Sequence, residues 1–377
     1  MREQLPELLA SLVRLNSVNP ALVPGGAGET EIADFILAWL RGHGISAELD
    51  VAAPGRPSVI ARVRGSGGGR ALLLNAHLDT VGLGEMTGAL TPTIRGGRMY
   101  GRGTYDMKAG LAACLLALLD ASAMALRGDV ILTAVADEEH ASLGTQSVLN
   151  RVTADAAIVT EPTGLQLCVA HKGFTWHEIT TDGQAAHGSR PDLGRDAIAA
   201  MGRVLVELET LGRELTARPT HPLLGHGSLH ASLISGGQEL SSYPERCTLQ
   251  LERRTLPGET PQDVEAELDR VLERLAADPD FRAQHRLLLA REPLSVPQDA
   301  PIVRLLSAQA TRVLGQAPAH IGLSFWMDSA LLAAAGIPTV VFGPDGAGAH
   351  ASEEWVDLAS AERCREILSA TIAEFCA

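Results

Sequence analysis

Three apolar runs of strand length end in acids or an imidazole, and this feature narrows the fold furthest. They are ALLLNAHLD (71–79), DVILTAVADEE (129–139) and AAIVTEP (156–162). A near-continuous apolar run suits a strand covered on both faces, the condition of a parallel sheet. SVIARVRG (58–65) is a further strand, joined to the first run through the turn GSGGG. Helical patterns separate the strands: the amphipathic ETEIADFILAWLRGH (29–43), the mostly apolar DMKAGLAACLLALLDASA (106–123), and DSALLAAA before a last run, GIPTVVFGP (336–344). Strands alternating with helices predict an α/β fold with an open, mostly parallel sheet and helices on both faces. Ligands of such sheets bind outside the carboxyl ends of the strands. Those are the ends where this chain carries its acids.

The middle of the chain reads differently. GFTWHEITTDG (173–183) alternates as a half-exposed strand does, and RDAIAAMGRVLVELETLGREL (195–215) is a long amphipathic helix. Two alternating stretches follow, GSLHASLISGG and ERCTLQLERRTLPGE. TPQDVEAELDRVLERLAAD is then a second helix with Thr260 as its N-cap, and a strand falls near 284–290. This order predicts a small α+β domain, residues 174–290, inserted into a larger domain made of 1–173 and 291–377. A length of 377 residues suits about two domains.

Charge and cysteine content exclude several classes. A formal net charge of −14 argues against nucleic acid as the partner, since phosphate binding needs clustered Lys and Arg. The cysteines (Cys114, Cys168, Cys247, Cys364 and Cys376) are odd in number, scattered and without a C-x-x-C spacing. That disfavours a disulfide framework and a thiolate metal site. The first residues, MREQLPELLASLVRLNS, read as a charged amphipathic helix rather than a secretory leader, and no apolar run reaches the ~18 residues of a membrane span. A cytoplasmic globular protein is expected.

The strand ends gather His77, Asp79, Asp106, Glu138, Glu139, Glu161 and His350. Taken singly, each has an ordinary explanation. A histidine at a strand end is most often a structural hydrogen-bonder, Asp106 can cap the helix after it, and paired glutamates usually sit in a solvated loop. Together they would place five carboxylates and two imidazoles in one cluster. Without a cation several carboxylates would have to stay protonated. Imidazole and carboxylate donors without thiolate suit zinc, or cobalt or manganese.

HLDTV (77–81), GRGTYDMKAG (101–110), ADEEHASLG (136–144), TEPT (160–163) and GAGAH (346–350), in this order and spacing, resemble the zinc-dependent deacylases and peptidases. That family includes acetylornithine deacetylase, succinyl-diaminopimelate desuccinylase, aminoacylase and glutamate carboxypeptidase. AAHGSRPDLGRDAI (185–198) and RTLPGE (254–259) extend the resemblance into the inserted domain, which in the family is a lid and dimerisation domain. The resemblance implies two divalent metal ions, one held by His77 and Glu161, the other by Glu139 and His350, with Asp106 bridging. It implies that the Asp79 carboxylate accepts a hydrogen bond from the far nitrogen of His77. Glu138 would be the general base. His187 would stabilise the oxyanion from a lid, across the interface of a homodimer. Arg254 would bind a substrate carboxylate through its planar fork.

Two departures concern the substrate. Ser241, in SSYP, stands where the family often has Asn, and SFWMD (324–328) stands where relatives are often Gly-rich. Trp326 either lines the pocket or belongs to ordinary core packing. Both changes favour an apolar side chain or acyl group over a cationic, ornithine-like one. The expected activity is two-metal hydrolysis of the amide bond of a small N-acyl amino acid. Dipeptidase or carboxypeptidase activity is the near alternative, and a non-catalytic protein keeping the fold is the distant one. No G-x-S-x-G elbow supports a serine hydrolase.

Overall fold

A computed structural model describes residues 5–377. The chain divides into two compact units. The larger comprises the chain through Val169 with Val296–Ile321 and Met327–Ala377; the smaller comprises Ala170–Ser295 and Gly322–Trp326. The smaller unit thus runs past 174–290 at both ends and takes in the segment that carries Trp326.

In the larger unit one sheet runs in the order Ser46–Ala53, Arg56–Val63, Val130–Val135, Leu72–His77, Ala156–Val159, Thr339–Val341. Its centre is parallel, as the apolar runs require. Every residue of the strands Val130–Val135, Leu72–His77 and Ala156–Val159 is buried, so both faces are covered. Its first three strands run antiparallel in succession. The strand Ser46–Ala53, not expected from sequence, forms a hairpin with Arg56–Val63 through Pro54 and Gly55, and a two-residue turn admits only an antiparallel pair. Gly55 has φ +74°, the left-handed conformation such a turn demands. The sequence SAELDVAA has mostly part-exposed positions, so it lacks the apolar run that marks the inner strands.

Three of the expected elements are shorter than their apolar runs. The first strand stops at His77, so Leu78 and Asp79 lie beyond it. The second stops at Val135, and the chain turns sharply at Asp137, whose φ is +69°. The buried helix begins at Ala109, not at 106. Asp106 precedes it in an extended conformation (φ −116°, ψ 98°) within a wide irregular turn, Thr104–Lys108. These departures put Asp79, Asp106, Glu138 and Glu139 in loops just outside the sheet, next to the strand-end His77. The N-terminal helix spans Leu5–Arg14, and the first four residues of its expected span lie outside the described residues. A small antiparallel sheet, Gly346–Ala347, Trp355–Asp357, Arg98–Tyr100 and Thr93–Arg95, frames the loop that carries His350.

The smaller unit is a four-stranded antiparallel sheet, ordered Ser228–Gly236, Arg246–Thr255, Gly173–Asp182, Ala283–Arg291, with helices Ala197–Ala217 and Pro261–Leu275. It has its own core, including Ile179, Val204, Leu208, Leu249, Leu251 and Leu268. Thr260 caps the second helix reciprocally with Asp263, a motif worth ~1 kcal/mol. All five cysteines are buried, and none is in a disulfide.

Candidate metal centre

Three adjacent parallel strands end at one edge of the larger sheet, with His77 in register with Val135 and Asn75 with Val159. Glu161, Glu138 and Glu139 follow within a few residues of those ends. Two glycines fix the Glu161 backbone. A Cβ at Gly110 would lie 2.1 Å from the Thr160 carbonyl oxygen, and one at Gly343 would lie 2.2 Å from that of Glu161. The helix starting at Ala109 therefore packs against this segment as only glycine permits, which sets Asp106 beside Glu161.

Asp106 turns one oxygen to each imidazole. Its Oδ1 is 3.1 Å from His77 Nε2 and its Oδ2 is 3.3 Å from His350 Nε2. Glu161 lies 3.6 Å from His77 Nε2, and Glu139 lies 3.1 Å from His350 Nε2. The His77–Glu138–Glu161 and His77–Asp106–Glu139 donor atoms each fall within 4.8 Å of one another. Glu139 Oε1 is buried with no hydrogen-bond partner. A carboxylate oxygen left so, among two imidazoles and three further carboxylates, fits a site that can hold divalent metal ions.

The electrostatics agree. Burial alone would lower the His77 pKa, yet Glu161, Asp106 and Glu138 hold it well above the usual histidine value. Hydrogen bonds to Asp106 and Glu139 push His350 up to about 10. Glu138 and Glu161 are raised well above ordinary carboxylates, first by burial and then by repulsion from neighbouring acids. Asp106 goes the other way: burial would raise it, but His350 and His77 hold it below the usual range. Divalent cations would relieve both the repulsion and the proton uptake.

The role of Asp79 differs from the one the resemblance implies. His77 Nδ1 donates to the Asp79 backbone carbonyl at 2.9 Å, while the carboxylate oxygen stands 3.7 Å away. The carbonyl engages Nδ1, so Nε2 is the nitrogen directed at Asp106 and left for a metal ion. The Asp79 carboxylate instead accepts the backbone N–H groups of Glu138 and Glu139, both at 3.1 Å. Glu354 does the same for Asp106. It accepts the N–H groups of Gly103 (3.0 Å), Tyr105 (2.8 Å) and Asp106 (3.1 Å), and Arg102 Nη1 at 2.8 Å. Sequence reasoning missed Glu354, along with Asn19, Glu29, Arg56, Asp137 and Asp328. Asp328 is buried, accepts from Thr145 Oγ1 at 2.5 Å, and is raised by burial to about 6.

His187, Ser241, Arg254 and Trp326 belong to the smaller unit. His187 is exposed, with Nδ1 2.8 Å from Ser189 Oγ. Ser241 is exposed, and its carbonyl accepts the Gly188 N–H at 2.7 Å. Arg254 donates from Nε to Glu252 at 2.6 Å and lies over the Phe174 ring at 5.3 Å. Its neighbour Arg253 is fully buried against Glu267 and Glu259, so the strand's alternation is kept. Trp326 donates to the Glu292 carbonyl at 3.0 Å and meets His171 and Phe174 edge-on.

An α/β sheet with carboxylates and imidazoles crowded at its carboxyl edge defines a class of hydrolytic metal-site folds. The model of Peptidase family M20/M25/M40 matches residues 73–374, and the chain belongs to that family. It is a hydrolase of linear amides. Acetylornithine deacetylase of Myxococcus xanthus is 33% identical, with 100% of this chain and 99% of that protein covered. The Proteus mirabilis (strain HI4320) enzyme of the same name is 30% identical, with coverage of 98% and 96%. Among solved structures, aminopeptidase PepT from Bacillus cereus shares the fold with a TM-score of 0.82 at 19% identity, covering 100% and 99%. A dinuclear metal binding peptidase from Bacillus subtilis shares it with a TM-score of 0.76 at 19% identity, covering 99% and 97%. Among the described residues no helix is long and apolar enough to cross a membrane.

Proposed function

We propose that this protein is a two-metal deacylase that hydrolyses the amide bond of small N-acyl amino acids. The observation that carries the reading is Asp106, one oxygen toward His77 and the other toward His350, inside a ring of three glutamates. His77 and Glu161 would hold one ion and Glu139 and His350 the other, with Asp106 between them. Two divalent ions bound there, zinc or else cobalt or manganese, would supply Lewis acidity for an amide carbonyl and for water. Glu138 takes the proton of the attacking water and returns it to the leaving amine. Burial and acidic neighbours raise its affinity for that proton. Deacylation rather than peptide cleavage is favoured by the two relatives named acetylornithine deacetylase. The peptidases of like fold make dipeptidase or carboxypeptidase activity the second reading.

The smaller unit supplies recognition. Arg254, steadied by Glu252 and Phe174, leaves its terminal nitrogens without a partner among the described residues, free to grip a substrate carboxylate. Trp326 and Ser241 favour an apolar side chain. His187 serves the oxyanion from the second chain of a homodimer. The edge strand Ser228–Gly236 supports such a pairing, being exposed at every residue but Leu229, with Leu233 and Ile234 at 66% and 55% exposure. Buried cysteines outside any disulfide are in keeping with a reducing cytoplasm.

The test is a hydrolysis screen of N-acetyl, N-succinyl and N-formyl amino acids, their methyl esters, and dipeptides, with each of the three metals. Free acids are expected to be cleaved and esters spared, with N-acetyl-methionine or -leucine ahead of N-acetylornithine. Cleavage of dipeptides alone would overturn the deacylase reading. Equal rates on acids and esters would remove the Arg254 anchor, and a clear preference for N-acetylornithine would remove the apolar pocket.

A further inference from the structure

We infer that Asn19 and Arg56 are positioning residues for the Glu138–Glu139 pair, acting through the carboxylates of Asp79 and Asp137. The inference rests on the two-metal reading above. Glu138 and Glu139 are consecutive, yet one must face the water and the other a metal. That division depends on how their peptides are oriented. Asp79 fixes those peptides, with Oδ1 on the Glu138 N–H and Oδ2 on the Glu139 N–H. Asp137, the residue before them, is in the left-handed conformation at φ +69°, uncommon for a residue with a Cβ. Something must hold both aspartates in place.

Asn19 does so with one amide group. Its Nδ2 donates to Asp79 Oδ2 at 2.8 Å and to Asp137 Oδ1 at 3.0 Å. The residue is itself fixed: its Oδ1 accepts the Ala21 N–H at 2.9 Å, and its own N–H donates to the Thr80 carbonyl at 2.9 Å. Arg56 grips Asp137 from another side, Nη2 to Oδ1 at 2.8 Å. Its fork is closed on Glu29, Nε to Oε2 at 2.7 Å and Nη2 to Oε1 at 2.6 Å. Glu29 Oε1 also accepts the Asp137 N–H at 3.2 Å, which completes the ring. Asn19, Glu29, Asp79 and Asp137 are all fully buried and Arg56 is 8% exposed.

Two buried carboxylates on one guanidinium, with a third at Asp79 reached through Asn19, are costly to desolvate, and apolar packing would stabilise the fold as well or better. The arrangement gains geometry instead. With the Asn19 amide removed, Asp79 and Asp137 lose their shared donor and repel, and Asp79 is then free to release the Glu138 and Glu139 N–H groups. Glu161 is held by another element, and His77 is held by the Asp79 backbone carbonyl rather than by its carboxylate, so the effect falls on the base and on the ion bound by Glu139 and His350.

The experiment uses the full-length chain, stripped of metal and titrated with zinc, for wild type, Asn19→Ser and Arg56→Lys, with Glu161→Ala and His350→Ala identifying the two binding steps. Partners that orient ligands typically contribute ~10–100-fold to metal affinity or activity. Asn19→Ser is expected to weaken the step that His350→Ala removes by about that factor and to leave the other within ~3-fold. Its kcat should fall ~10–100-fold with little change in KM. Arg56→Lys keeps the charge, loses the fork and should show the same selective pattern, which covers the case of an Asn19 variant that does not fold. Two zinc steps unchanged in both variants, with only a lower melting temperature, would overturn the inference, as would equal weakening of both steps. A wild-type chain that binds fewer than two ions overturns the two-metal reading and this inference with it. A wild type that binds two ions but deacylates nothing overturns only the substrate, because the zinc titration reads the positioning directly.

Discussion

Replacing Glu354 with Gln should loosen the Asp106 turn by an amount the hydrogen bonds set. The carboxylate is 1% exposed and accepts four donors, two on each oxygen: Tyr105 N–H and Asp106 N–H on Oε1, Gly103 N–H and Arg102 Nη1 on Oε2. Glutamine offers one oxygen, so two bonds at most survive and its NH₂ faces two donors. Hydrogen bonds to a charged group contribute ~1.5–3 kcal/mol each, which puts the loss of two at ~3–6 kcal/mol. Arg102 keeps its bonds to the Gly82 carbonyl (3.1 Å) and the Ala351 carbonyl (2.8 Å), which spares part of that. A loss of ~3–5 kcal/mol matches what breaking a buried ion pair costs. The assay is urea unfolding of the metal-free protein at pH 8, with hydrogen exchange of the Tyr105 and Asp106 amides as the local readout. Stability and the protection of both amides should fall together, and kcat should drop because Asp106 shifts between its two imidazoles. A stability change under ~1 kcal/mol with unchanged exchange at both amides would refute the reasoning, since four buried donors would then be indifferent to their acceptor.

Further outcomes follow from the same geometry. Glu138→Gln should keep the fold and both metal ions and lose ~10²–10⁴-fold in kcat, and a near wild-type rate would remove Glu138 as the base. Mixed His187→Ala and Glu138→Ala chains, each inactive alone, should regain activity once subunits exchange; no gain despite proven exchange would place His187 in its own chain or outside catalysis. Lys108 is buried and donates from Nζ to the Leu12 and Leu15 carbonyls at 3.0 and 2.9 Å, and burial lowers its pKa from 10.5 to about 7. Between those values the unfolded chain binds the extra proton, so stability should rise with pH from about 7 toward 10. Denaturation midpoints across that range should show the rise in wild type and a flatter profile in Lys108→Met, and equal slopes would contradict it.

What the sequence showed plainly was whatever carries a period or an end signal. The apolar runs located the parallel centre of the sheet, and the acids at their ends located the candidate ligands. The alternating stretches from GFTWHEITTDG onward located the smaller unit. Strand ends were overshot because Leu78 and Ala136 are as apolar as the strand interiors, although they already lie in the loops. The edge strand Ser46–Ala53 carries no run of buried residues to betray it. The second layer was not legible for a physical reason. Glu354 meets its partners across about 250 residues of chain, and Asn19 meets Asp137 across 118. No local spacing encodes such pairs. A fully buried Glu or Arg read alone looks like a surface charge. Asp79 lies beside His77, but its carboxylate and its carbonyl divide the work, a distinction that lies in backbone geometry and not in residue type.

The central claim is that Asp106 stands between two ions. Crystals of the zinc-loaded chain, measured at the zinc absorption edge, test it most directly. The account predicts two anomalous peaks per chain, ~3.5–4 Å apart, with one Asp106 oxygen on each, His77 and Glu161 on one and Glu139 and His350 on the other. A single peak at full loading, or two peaks with Asp106 on neither, would contradict it.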